Sequence, residues 1–175
     1  MIPRSGLRTV AMLAALLTAP ACYTSEHPLD PTPQVALDPA LLGAWRCLGA
    51  EPAADDSAMT ITIAPAGDRV YRATLQEDGD DTPDVYEAYG SRVGNATVLN
   101  VRELDEQQRP DGKWIFVRYA LPRPQVLIIE VADEEALRGV ESSPAALRRA
   151  LAKRGRGNAL YRPTCVCVRI ARPRP

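Results

Sequence analysis

From Leu41 onward the chain alternates apolar and polar residues in short runs separated by Gly, Pro and Asp clusters. Met59 to Ile63 (MTITI) alternates without a fault, the mark of a strand with one buried face. Gly43 to Leu48, Arg69 to Gln76, Val85 to Arg92 and Thr97 to Glu103 follow the same habit. Trp114 to Leu121 and Gln125 to Val131 flank a Pro-Arg-Pro turn and are rich in β-branched and aromatic residues. A last strand is expected from Thr164 to Ile170. Two helical pieces precede it, Glu134 to Val140 and one opened by Ser143-Pro144, with Leu147 and Leu151 four apart and Gly155 as its stop.

About eight strands at this spacing, joined by hairpins, predict an all-β, antiparallel up-and-down barrel with one or two short helices. Up-and-down order sorts the loops onto two ends. Tight turns at Pro65, Gly94 and Pro122 fall at one end. Long acidic loops fall at the other: Glu51 to Ala58, Glu77 to Asp84, Leu104 to Gly112, and the segment from Asp133. Ile115, Val117 and Tyr119 share one face of their strand, while Trp114, Phe116 and Arg118 share the opposite one. One of those faces needs a cover outside the barrel, and the Leu147/Leu151 helix is the economical candidate.

The first 40 residues break this pattern. Arg4 and Arg8 precede an apolar run, Val10 to Leu17, and then Ala19-Pro20-Ala21-Cys22. A charged start, a short apolar stretch and small residues before a cleavage point define an export signal over residues 1–21. Ala19-Pro20-Ala21 fits an ordinary signal-peptidase site, while Cys22 directly after it resembles a bacterial lipobox, with Ala19 where the usual lipobox has Leu. The lipobox resemblance implies a lipid anchor on Cys22 and a place in the cell envelope, facing the periplasm or the cell surface. Residues 22–40 are Pro-rich and unpatterned, and read as a tether between the anchor and a barrel over 41–172. On that plan the tether enters the first strand at Leu41, on the short-turn end. The acidic loops, Asp55-Asp56 among them, gather at the opposite end and face away from the membrane, because an anionic lipid surface repels them.

Gly43-Ala44-Trp45 in the first strand and Arg169 in the last resemble the lipocalin-like superfamily, where a late Arg packs over the indole of a Gly-x-Trp. The run Leu41 to Trp45 resembles, more closely, small bacterial barrel lipoproteins of uncharacterised function. The resemblance implies a fold, and a fold does not carry a function.

In an oxidising compartment Cys47, Cys165 and Cys167 invite a disulfide. First and last strands are neighbours in a closed barrel, so Cys47 can reach either Cys165 or Cys167, whose side chains share a face. A structural zinc site would need a fourth ligand, and the sole histidine, His27, lies in the tether. We therefore expect no metal and no cofactor. Glu77 to Asp84 lacks the spacing of a helical calcium loop and reads as a solvated hairpin tip. A net charge of −1 with no basic stripe argues against nucleic acid. No Gly-x-Ser-x-Gly or phosphate-binding glycine loop is present, and Glu87, Asp111 and Glu130 read as strand or turn carboxylates rather than a hydrolytic pair. The expected role is non-enzymatic binding of a small apolar ligand or an envelope protein. Asp78, Asp80, Asp81 and Asp84 are the candidate partner-binding residues.

Overall fold

The computed structural model describes residues 22–50, 58–140, 143–154 and 160–170. The expected export signal, the Asp55-Asp56 pair and the helix stop at Gly155 lie outside the described residues. The strands are β1 (Thr24–Ser25), β2 (Gly43–Gly49), β3 (Met59–Pro65), β4 (Tyr71–Glu77) and β5 (Asp84–Val93). They continue as β6 (Ala96–Leu104), β7 (Trp114–Arg123), β8 (Val126–Ala132) and β9 (Tyr161–Arg169). Two helices, α1 (Glu134–Leu137) and α2 (Pro144–Arg154), lie between β8 and β9.

Strands β2 to β9 pair antiparallel in chain order, and β9 returns to pair with β2. The result is a closed, eight-stranded up-and-down barrel of lipocalin-like form. Closure leaves no open edge among these strands. Alternation along each strand then divides the apolar residues into two separate cores. Inward positions such as Trp45, Ile61, Tyr71, Leu99, Val117 and Leu127 fill the barrel. Outward positions on β5, β6 and β7, including Tyr89, Val98, Trp114 and Phe116, form a second core with Leu147 and Leu151 of α2. The helix expected to cover that face does cover it. Phe116 and Leu147 are fully buried there, each burial contributing about 1.5–3 kcal/mol. Asp133 and Ser143 start the two helices by accepting from the backbone N–H of Ala136 and Ala146.

The segment expected to be a tether is instead part of the fold. Thr24 and Ser25 pair with Ile115 and Trp114 of β7, and Tyr23 donates its N–H to the carbonyl of Ala132. Tyr23 stacks beside Phe116, and Leu29 is buried in the outer core. Asn100, fully buried, fixes the strap to the barrel. Its Oδ1 accepts from Leu29 N–H at 2.7 Å, while its Nδ2 donates to Ser91 Oγ and the Tyr89 carbonyl. Arg148 of α2 clamps the strap from outside, donating to Asp30 Oδ1 and the Leu29 carbonyl. The chain then passes to the inside of the short-turn mouth, where Leu37 and Leu41 join the barrel core. Prolines 28, 31, 33 and 39 remove backbone donors, so single side-chain bonds, not a long ladder, hold this strap.

Replacing Asn100 with Ala leaves buried donors and acceptors on Leu29, Ser91 and Tyr89 without partners. The expected loss is about 2–3 kcal/mol of stability in urea denaturation, with faster proteolysis of the strap. A cost below about 0.5 kcal/mol would mean the strap is held elsewhere.

Candidate functional site

Trp45 sits at the seam of the barrel, opposite Arg169 in the β2–β9 register. It is fully buried, and its indole N–H donates to the Leu41 carbonyl at 2.9 Å. The Arg169 guanidinium lies 4.0 Å from the indole centroid and donates to the carbonyls of Leu42 and Ala40 at 2.7 and 2.6 Å. Gly43 is required between them. Its φ is +128°, and a Cβ there would stand 2.9 Å from the Arg169 guanidinium. The Gly-x-Trp and late Arg of the sequence thus form one structural lock, joining the seam to the end of the strap.

Cys47 faces Cys167 across the same seam, with Cα atoms 3.9 Å apart and the sulfurs bonded at 2.05 Å. Cys165 stays a free, buried thiol, its Sγ 3.8 Å from that of Cys167. Burial pushes the Cys165 thiol up to about 11. It should therefore resist alkylation in the native protein.

The strap builds a feature that the sequence reading missed. Where it enters the barrel, Val35, Ala36 and Asp38 face Tyr71, Gly90, Arg92, Thr97, Leu99 and Tyr119 around a cavity of about 270 Å³. Tyr119 donates its hydroxyl to Asp38 Oδ2 at 3.0 Å, and the Asp38 N–H donates to the Tyr71 hydroxyl at 2.5 Å. Gly90 makes room for the strap, since a Cβ there would stand 3.0 Å from Val35 Cβ and from Thr97 Cγ2. Arg92 brings a positive charge to a cleft that also holds the Asp38 carboxyl and two phenols. The recurrence of apolar residues at Val35, Leu37 and Leu41 was the available signal that this segment packs. A second cavity, about 400 Å³, lies outside the barrel between α2 and the β5–β6 hairpin. Arg118 and Tyr161 line it, with the guanidinium 4.7 Å from the ring centroid.

All six tyrosines are held above the usual phenol range, chiefly by burial. Tyr89 and Tyr161 are pushed up to about 12. A phenol with a raised folded pKa keeps its proton longer than the unfolded chain does. Its contribution to stability is present below about pH 10 and is lost as pH rises toward 12. Ultraviolet titration should show tyrosinate forming later in the folded than in the unfolded protein, with stability falling across that window. Coincident titrations would contradict this burial.

The remaining candidates scatter. Glu87 pairs with Arg102 at 2.5 Å and Glu130 with Arg118 at 2.6 Å, each in its own ion pair. Asp111 accepts from the Gly112 N–H at its turn. In the acidic loops, Asp78 is paired with Arg46, which holds its carboxyl below the usual range. Asp105 is similarly tied to Arg109. Asp80, Asp81 and Asp84 are exposed and have no ion-pair partner among the described residues.

Cys22 is exposed, its thiol is free, and it bridges to Asp133 at the end of β8. That places it at the long-loop end of the barrel, on the same end as Asp78 to Asp84. The expectation that the acidic loops lie at the end of the barrel away from Cys22 is therefore corrected. It assumed a loose tether entering at the short-turn end, whereas the packed strap runs the length of the barrel from the loop end. No protein-family model matches the chain, and no curated protein matches it either.

Proposed function

We propose that this is an exported bacterial envelope protein, lipid-anchored at Cys22, that acts by binding rather than by catalysis. In this reading its ligand site is the cleft at the short-turn mouth. The observation that carries it is the strap itself, which builds the cleft at one end while starting from Cys22 at the other. An anchor at Cys22 then holds the long-loop end toward the membrane and leaves the cleft facing away from it. The Asp38 carboxyl and the Arg92 guanidinium, which line the same cleft, suit a small polar ligand carrying both charges, rather than the apolar ligand the barrel pattern suggested. The barrel centre supports the same choice, since Trp45, Tyr71, Leu99 and Leu127 occupy it.

The test has two arms. Cys22→Ser should move the protein from the membrane to the soluble fraction, and intact-mass analysis of the membrane form should show a diacylglyceryl group on the N-terminal cysteine. A soluble wild-type product beginning at Cys22 with a free thiol would sink the anchor. For the cleft, thermal-shift screening with free amino acids as probes should give stabilisation that is lost in Arg92→Ala. Shifts unaffected by that substitution would place binding elsewhere.

A second reading, a protein-interaction module at the long-loop end, is favoured by one observation: Asp80, Asp81 and Asp84 lie on one exposed loop and have no ion-pair partner among the described residues. Substituting all three with Asn should then weaken a cationic partner and flatten the salt dependence of binding, leaving the fold intact because hairpin tips bury little.

A further inference from the structure

We propose that Cys47, Cys165 and Cys167, once the Cys47–Cys167 bridge is reduced, form a three-thiol site inside the barrel for one trivalent thiophilic centre such as arsenite. The three sulfurs lie within 4.8 Å of one another, and all three residues are buried. Three bonds of about 2.3 Å to one shared atom set sulfurs about 3.5–4 Å apart. Cys165 and Cys167 already stand at 3.8 Å, side by side on β9, with Cys47 directly across on β2.

Charge selects among the soft ions that thiols prefer. The register neighbours of the three cysteines, apart from one another, are Met59, Leu127, Ile129 and Gly49, none of them charged. Arg169, one step farther along β9, is committed to Trp45 and the strap carbonyls. A monovalent or divalent ion on three thiolates would leave net negative charge in this core, which is strongly unfavourable without a counter-ion. A trivalent centre leaves none. Arsenous acid reacts with three thiols to give a neutral tris-thiolate and three waters. Three As–O and three S–H bonds break, while three As–S and three O–H bonds form, with no change of oxidation state. A tetrahedral ion would also need a fourth ligand, and the only histidine, His27, packs outside the barrel beside Ser25.

The bridge makes the site redox-gated. While Cys47 and Cys167 are joined, one thiol remains. A phosphine reductant opens the bridge by giving two electrons to the S–S bond, while one water supplies the oxygen of the phosphine oxide and the two thiol hydrogens.

The experiment uses the Cys22→Ser chain, so that the three barrel sulfurs are the only ones from cysteine. The protein is reduced with a water-soluble phosphine, incubated with sodium arsenite and gel-filtered. Native mass spectrometry should then find one arsenic per chain, with three hydrogens lost and no free thiol remaining. Without reduction, no arsenic should be retained. Cys165→Ser, which keeps the bridge pair, should weaken retention by more than about tenfold through loss of one chelating arm. Should reduction unfold the barrel, arsenite should restore a cooperative unfolding transition, because it binds only the assembled site. The proposal is overturned by a reduced protein that neither retains arsenic nor is refolded by it. Equal retention by Cys165→Ser, or retention by the unreduced chain, would overturn it too.

Discussion

Trp45→Ala should lower the stability of the barrel by about 3–5 kcal/mol, seen as a reduced urea midpoint with an unchanged slope. The indole is fully buried where the first and last strands meet, so its removal opens a cavity in the seam itself. It also removes the ring beneath Arg169 and the donor to the Leu41 carbonyl. Trp45→Phe separates these contributions. It keeps most of the ring and loses one hydrogen bond and part of the cation–π contact, for an expected cost of about 1–2 kcal/mol. Arg169→Lys should also be harmful despite its charge, because a single ammonium cannot lie flat on the ring while bonding Ala40 and Leu42 as the guanidinium does. A cost for Trp45→Ala below about 1 kcal/mol would show that the seam is held by the strand ladder alone.

The eight barrel strands were legible because alternation is a local property, readable wherever one face is wet and the other dry. Met59 to Ile63 and the Trp114 to Leu121 run were found with boundaries shifted by no more than two residues. The outer core was legible as well, since apolar residues on both faces of β7 demanded a cover and α2 offered the matching leucines. The disulfide partner was more legible than it was read to be. Antiparallel register fixes every pair once one is known. Stepping two residues along each strand from Trp45 and Arg169 arrives at Cys47 and Cys167, so the motif already chose between Cys165 and Cys167.

The strap was illegible for a different reason. Its four prolines erase periodicity, and its fixing points are single contacts with distant residues: Leu29 with Asn100, Asp30 with Arg148, Asp38 with Tyr71 and Tyr119. Nothing within residues 22–40 names those partners. The cleft and the position of Cys22 both depend on the strap, so the candidate site was lost with it. A Pro-rich segment marks a tether only when its apolar residues lack partners, and Leu29 and Leu41 have them.

Breaking the Cys47–Cys167 bridge should be the other large perturbation, costing about 2–5 kcal/mol. The two cysteines are 120 residues apart, so the bridge closes a loop holding nearly all of the barrel. In the chain-entropy account, a cross-link of that span removes much freedom from the unfolded chain and little from the folded one. The paired substitution Cys47→Ala/Cys167→Ala is the cleaner test, since it leaves no thiols to re-form or exchange with Cys165. Equilibrium urea denaturation should show the lower stability, and the slope should rise because an uncrosslinked unfolded chain exposes more surface. Wild-type protein under a reducing agent should move in the same direction. Equal stability of bridged and substituted proteins would mean that the β2–β9 ladder and the Trp45–Arg169 lock close the barrel without covalent help. The bridge would then hold the three sulfurs together rather than the fold.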